Sequence, residues 1–131
     1  MSRSTNILKL RKTFEVKTLD QESSGIEHFQ NKVLRPIIKF QNEVILLKFK
    51  NVCRTYKSSF STFSENEKKK YIENILLKDK KIRFTFIGLI IGLLSSNEFL
   101  FYLKYSSKIN KRIISILIKR LIDNLDLIVD S

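Results

Sequence analysis

The chain has 131 residues, a formal net charge of +12 and 43% hydrophobic residues, which is enough apolar material for the core of one globular domain. A single histidine and a single cysteine argue against a zinc site, an intramolecular disulfide or a catalytic triad, because each of these needs more such side chains. Three glycines and one proline leave few turn residues, so the composition favours an all-α fold over a β fold.

Residues 1–25 form a first segment that is polar and mixed in charge. Phe14 and Val16 give only a weak alternation, so we expect a flexible arm here. The first residues, MSRSTNILKLRK, carry charges throughout and lack the apolar run of a secretory signal. The sequence therefore predicts one helical-bundle domain at residues 26–131, in a protein of the cytoplasm.

A first long helix is predicted over residues 27–57. Apolar side chains recur there at spacings of three and four, as on the buried face of a helix. The stripe consists of Phe29, Val33, Ile37, Phe40, Val44 and Leu47. Pro36 lacks the N–H that would bond the carbonyl of Lys32, so the helix should kink or begin there. Cys53 is expected to be a small buried hydrophobic residue.

Serines predict where the later helices begin, because a serine hydroxyl can accept from the free N–H groups of a first helical turn. Ser64 with Glu67, and Ser95 with Glu98, match the capping box. Ser106 or the serine after it is expected to cap the last helix. The later helices are predicted at 65–78, 80–94, 97–105 and 108–128. Together with the first helix they predict a compact bundle of about five helices.

The longest apolar run extends from Phe84 to Leu94 and contains two glycines four residues apart. Eleven helical residues span roughly 16 Å, about half of the hydrocarbon core of a membrane, so no spanning helix is expected. A helix with so many apolar side chains should be buried in the bundle. Gly88 and Gly92 would then let a neighbouring helix approach closely. A ligand-contacting glycine face and a membrane role are the alternatives.

The positive charge concentrates on the first long helix, opposite its apolar stripe. Its cations recur at spacings near whole turns, an arrangement that could follow a phosphate backbone. These residues are Lys32, Arg35, Lys39, Lys50, Arg54 and Lys57. An anionic protein partner and a merely solvated surface are the alternative interpretations. Lys39, Lys50 and Arg54 in particular are expected to share one side of the helix.

Other polar groups are interpreted as solvated surface. This applies to His28, to the carboxylates Glu65, Glu67 and Glu73, and to the lysines at 68–70. No metal or cofactor site is predicted from them. Two triplets, Phe29-Gln30-Asn31 and Phe40-Gln41-Asn42, repeat eleven residues apart. Their amides Gln30, Asn31, Gln41 and Asn42 could line a polar pocket if they turn inward.

The string FQNKVLRPIIKFQNEVILLKF, followed later by IGLIIG and SSKINKR, resembles a family of small basic bacterial proteins often labelled "glyoxalase" by automated naming. The resemblance covers roughly residues 27 to 125, and its most specific part is Leu34 to Asn42. The label implies a small-molecule enzyme. Glyoxalase I enzymes themselves are paired βαβββ modules with His and Glu metal ligands, a pattern that this sequence does not show.

The leading hypothesis is a non-enzymatic helical module that binds RNA, or a ribosome- or RNA-associated protein, through the basic face of its first helix. The first alternative is a protein-interaction module that uses an exposed apolar patch. The second is a small-molecule enzyme with a polar pocket near Gly88 and Gly92.

Overall fold

A computed structural model describes residues 2–14 and 25–128, which form helices joined by short turns, with no strand among them. The α-helices are α1 (Arg3–Arg11), α2 (Gly25–Phe29), α3 (Arg35–Phe40), α4 (Asn42–Thr55), α5 (Glu65–Lys78), α6 (Lys80–Ile91), α7 (Ser96–Lys104) and α8 (Ser106–Asp123). A π-helical turn, Gln30–Leu34, joins α2 to α3, and 3-10 turns follow α4 and α8. The all-α prediction is confirmed.

Side-chain caps mark the starts of α1, α5, α6 and α7, and α5 has the predicted bounds. Both predicted capping boxes are present, with Ser64 and Ser95 each accepting from the N–H three residues on and each glutamate accepting from the cap N–H. The prediction for the last helix was wrong, because Tyr105 holds the cap position of α8 and no side chain caps it. Asp79 caps α6 by accepting from the N–H of Ile82, which the sequence analysis had missed.

The predicted irregularity at Pro36 takes the form of a π turn. The N–H of Arg35 donates to the carbonyl of Gln30, five residues back instead of four. Pro36 has no N–H to give to Lys32, and its ring would crowd that carbonyl in a regular α-helix. The wider turn removes this conflict, and α3 then starts with Pro36 in its first turn. A further break at Gln41, with φ −86° and ψ 7°, separates α3 from α4.

The predicted apolar stripe is wrong after Ile37. Phe40, Val44 and Leu47 are 45%, 41% and 57% exposed. An extra residue in the π turn rotates every later side chain by about 100° relative to α2. The face of α4 that is buried consists instead of Ile45, Leu46, Phe49, Val52 and Cys53. Cys53 is therefore buried, as predicted.

The core lies between α5, α6 and α8, which pack against one another, and extends to α4. An aromatic cluster links α4 to α5: the ring of Phe49 lies 5.6 Å from Phe60 and 6.3 Å from Tyr71, edge to face in both pairs. The buried face of α8 is made of Ile109, Ile113, Ile114, Leu117 and Leu121.

The first segment contains a helix that contacts the bundle, where the sequence analysis predicted a flexible arm. Arg3 donates to the carbonyls of Gly92 and Leu94, at 2.6 and 2.8 Å. Arg11 is 2% exposed and forms a two-pronged ion pair with Glu98 on α7. Residues 15–24, the remainder of the predicted arm before Gly25, lie outside the described part of the chain.

The glycines of α6 do not pack against a neighbouring helix, contrary to the prediction. Gly88 and Gly92 are exposed, and a Cβ atom built on Gly88 would meet nothing within 4 Å. The opposite face of α6, with Phe86, Ile87 and Ile90, is buried. The apolar run is thus a helix with one buried side. No helix within the described residues is long and apolar enough to cross a membrane.

Candidate nucleic-acid interface

Cations from two helical segments meet in a groove between α3 and α8. Lys32, Arg35 and Lys39 line it from the π turn and α3, and Arg120 lines it from α8. Its volume is about 290 Å³, and a second depression of about 420 Å³ adjoins it at Arg35 and Arg120 and adds Lys119. We call these five cations the basic groove.

The guanidinium groups of the groove are held by neutral amides. Arg35 donates from Nε to Oδ1 of Asn31 at 3.1 Å. Arg120 donates from Nη1 to Oδ1 of Asn42 at 3.1 Å. An arginine has five N–H donors, so one such bond fixes the orientation of the group and leaves most of its donors free. The amides also carry no charge, so the positive charge of each arginine stays uncompensated.

The repeated Phe-Gln-Asn triplet connects the segment before α4 to α8. Gln30 of the first triplet accepts from Arg112 at 2.9 Å, and Asn42 of the second accepts from Arg120. The two arginines lie eight residues apart on α8, which is about two turns. The two triplets thus each bond one arginine of α8, through different positions: the glutamine of the first triplet and the asparagine of the second.

The four amides do not converge on one pocket. Gln30 and Asn42 face α8, whereas Gln41 donates from Nε2 to the carbonyl of Leu89 on α6 at 2.8 Å. Asn31 bonds within its own helical segment, to Arg35. This distribution gives no support to a polar catalytic pocket built from the triplets.

The other three cations of the predicted basic face do not line the basic groove. Lys50 is half-buried on α4, and Arg54 is exposed near its end. Lys57 has a left-handed backbone, with φ 51°. Its N–H donates to Arg54, and Ser58 donates to Cys53, which closes the C-terminal end of α4 as a Schellman motif. The predicted face is thus divided between the groove and α4.

Carboxylates are scarce around the groove. Of the described residues that line the two depressions, one is acidic: Asp123, which lies 3.1 Å from the amine of Lys119 and is exposed. This ion pair lies at the solvated surface, where such pairs contribute little. Lys32, Arg35, Lys39 and Arg120 therefore form the positive centre of the groove.

An aromatic side chain also lines the groove. Phe14 lies beside Lys32 and Lys39 and stacks on Phe40, with ring centroids 4.2 Å apart and planes at 12°. Phe40 was predicted to belong to the buried stripe. The rotation at the π turn brings it to the surface instead, where Phe14 stacks on it.

The polar groups outside the groove give little support to acid–base or metal chemistry. Among the described residues, no three His, Cys, Asp or Glu side chains form a group that could hold a metal ion. The N–H of Ile82, and then the hydroxyl of Tyr56 at 2.8 Å, hold the pKa of Asp79 below its usual value. The same hydrogen bond to Asp79 raises the pKa of Tyr56. Because Asp79 caps α6, these shifts have a structural cause.

Comparisons with protein-family models, with curated proteins and with solved structures return no match to this chain. The resemblance to the glyoxalase-labelled family accordingly stays a prediction. Function is inferred from the side chains of the groove themselves.

Proposed function

We propose that this protein is a helical RNA-binding module and that the basic groove contacts the RNA backbone. Lys32, Lys39 and Lys119 supply point charges, and Arg35 and Arg120 supply planar groups that match phosphate oxygens in a bidentate geometry. Binding releases the counterions condensed on the nucleic acid, which favours association at low salt. The net charge of +12 adds long-range attraction to any polyanion.

The observation that carries this proposal is the neutral partner of each groove arginine. A carboxylate partner would cancel the charge that a phosphate has to meet. Asn31 and Asn42 instead orient Arg35 and Arg120 and leave their charge in place. Such pre-organisation lowers the side-chain entropy lost on binding.

Phe14 favours single-stranded RNA as the ligand. Proteins that bind single strands combine a positive groove with aromatic side chains on which bases stack. Phe14 lies in the groove lining, next to the lysines. An RNA partner of this kind, free or on the ribosome, would place the protein in the cytoplasm.

The test compares two triple variants with equal charge loss. The groove variant is Lys32→Gln/Arg35→Gln/Lys39→Gln, and the matched control is Lys50→Gln/Arg54→Gln/Lys57→Gln on and after α4. Binding of a labelled single-stranded RNA of about 12 nucleotides is measured by fluorescence anisotropy over a range of salt concentrations. We expect the groove variant to lose at least about tenfold in affinity, with a log–log salt slope reduced by about 2, or about 0.7 per contact.

The control variant should bind within about twofold of the wild type, because its cations lie outside the groove. Circular dichroism must show that both variants are folded. Equal losses in the two variants would mean unspecific attraction by net charge. No loss in either would remove the basic groove as an RNA site. Co-sedimentation with ribosomes from lysate, with and without ribonuclease, then distinguishes free RNA from a ribosomal partner.

A further inference from the structure

A second surface, formed by α6 and α7, is apolar and exposed. On α7, Phe99, Leu100 and Leu103 are 37%, 64% and 55% exposed. Between the two helices lies a groove of about 500 Å³. Its lining, which we call the α6–α7 groove, consists of Arg3, Gly88, Ile91, Gly92, Ser96, Phe99 and Leu100. Large apolar side chains clustered in this way mark a surface that binds another molecule.

Intramolecular packing does not account for the form of this groove. A glycine in a helix costs about 0.8–1 kcal/mol relative to alanine. At Gly88 the space that a side chain would occupy is open, so the fold itself gains no contact from the missing atoms. The gap lies between exposed side chains of two helices, which is the shape that admits the backbone of a further helix.

The one charged side chain in the groove lining is positive: Arg3, at the Gly92 end. Lys81 lies in the first turn of α6, on the same helical face as Gly88, with the carboxylate of Asp79 nearby. Lys104 follows Leu103 at the end of α7. The one acid of α6 and α7, Glu98, is ion-paired with the buried Arg11. An occupant of the groove therefore meets apolar side chains and the exposed positive charge of Arg3.

We propose that the α6–α7 groove binds an acidic amphipathic helix of a partner protein. The apolar side of such a helix would lie over Gly88 and Gly92, against Phe99 and Leu100, in the helix-in-groove mode. Its acidic residues would reach Arg3 and Lys81. The eleven residue-to-residue steps from Lys81 to Gly92 span roughly 16 Å, which corresponds to about three turns of the bound helix.

Charge and shape favour this occupant over two others. A second copy of the chain would bring a surface of the same positive sign and a further net charge of +12 against this one. A membrane surface would contact the protruding side chains, such as Leu100, and would leave the open space at Gly88 unfilled. The complementary partner is acidic and narrow enough to enter between α6 and α7.

The test uses the small number of glycines in the chain. The sequence has three, so the amide signals of Gly88 and Gly92 report on the groove, and that of Gly25 serves as an internal control. The probe is a synthetic helical peptide with Ala and Leu on one face and Glu on the other, and the control peptide has Lys at each Glu position. We expect the acidic peptide to shift the signals of Gly88 and Gly92, and to leave that of Gly25 in place.

Two variants locate the binding. Gly88→Leu extends a side chain into the groove from a position where a Cβ atom meets nothing within 4 Å. It should weaken peptide binding at least about tenfold, or 1.4 kcal/mol, with an unchanged or higher melting temperature. Leu100→Gln, at the most exposed apolar position, should weaken it as well and guards against a folding defect in the first variant. The groove variant Lys32→Gln/Arg35→Gln/Lys39→Gln should bind the peptide normally, which separates this site from the proposed RNA site.

Four results would overturn the proposal. The first is that the amide signals of Gly88 and Gly92 do not shift at millimolar acidic peptide, and the second is that the lysine peptide shifts them equally. The third is an unchanged affinity for the acidic peptide in both variants, and the fourth is self-association of the protein. The last would appear as a concentration-dependent sedimentation coefficient that Gly88→Leu abolishes, and would indicate a second copy. Shifts caused by phosphatidylglycerol vesicles, and by neither peptide, would indicate a membrane surface.

Discussion

Arginines in two regions of the molecule are held in opposite ways. Where α1 meets α7, Arg11 is buried and its charge is neutralised by Glu98, which also caps α7. In the basic groove, Arg35 and Arg120 are bonded to the neutral amides of asparagines. The first arrangement fastens a helix to the bundle. The second fixes the position of a cation and leaves its charge available to a ligand.

The difference shows that a cation's partner indicates its role better than its exposure does. A buried ion pair is structural, because removing either side leaves a charge without compensation. A guanidinium that is bonded to an amide keeps free N–H donors and an uncompensated charge. Its contribution to folding is therefore small, and its contribution to binding an anion can be large. Changing one kind of partner into the other tests this distinction directly.

The largest expected effect follows from breaking the buried pair. Arg11→Leu should lower the free energy of unfolding by about 2–3 kcal/mol, the low end for a buried pair because Glu98 keeps some solvent contact and its capping bonds. Chemical denaturation followed by circular dichroism measures it. The double variant Arg11→Leu/Glu98→Gln should recover part of the loss, since glutamine can still complete a capping box. RNA affinity of the folded protein should not change, and a large change would contradict the structural role of Arg11.

The second prediction replaces the neutral partners of the groove arginines with carboxylates, so that the groove resembles the Arg11–Glu98 pair. Asn31→Asp/Asn42→Asp gives Arg35 and Arg120 carboxylate partners, so RNA affinity should fall about tenfold and the salt slope by about 0.7 per lost contact. The free energy of unfolding should stay within about 1 kcal/mol. Asn66→Asp/Asn74→Asp on α5 is the control with the same change in charge. A loss of equal size in the control would show that net charge, and not the local partner, determines binding.

The smallest effect concerns a carboxylate that is stabilised by uncharged donors, the mirror image of the groove arginines. The pKa of Asp79 is lowered by the Ile82 N–H and then by the Tyr56 hydroxyl, so the ionised form contributes stability above the unfolded pKa. That contribution is lost as pH falls through the lower, folded pKa. Between about pH 7 and about pH 2 the melting temperature should therefore fall less steeply in Asp79→Asn, which keeps a capping oxygen, than in the wild type. Parallel curves would contradict this linkage.

Local patterns in the sequence predicted much of the fold. The serine–glutamate pairs at Ser64 and Ser95 identified two helix starts because both partners lie within one turn. The buried face of α4 could not be predicted in the same way, since one extra residue before Arg35 changes the phase of everything after it. Helical period assumes a regular backbone, and the π turn breaks that assumption.

The candidate site was predicted only in part, because its contacts join distant parts of the chain. Lys32, Arg35 and Lys39 belong to the predicted basic face and do line the groove. Arg120 was not identified, since its partner Asn42 lies 78 residues earlier. The exposed position of Gly88 was also missed, because an apolar run looks the same in sequence whether one face or all faces of the helix are covered.

The π turn separates what the core needs from what the basic groove needs. Removing one residue between Gln30 and Leu34 would place Phe29, Ile38 and Ile45 on a single regular α-helical face, with separations of eight and fifteen residues. A chain shorter by one residue would thus still present these three apolar side chains to the core. The extra residue of the π turn lies where Asn31 and Lys32 enter the groove lining. A variant that lacks one residue of this turn should therefore retain its helical content and lose the arrangement of charges in the groove.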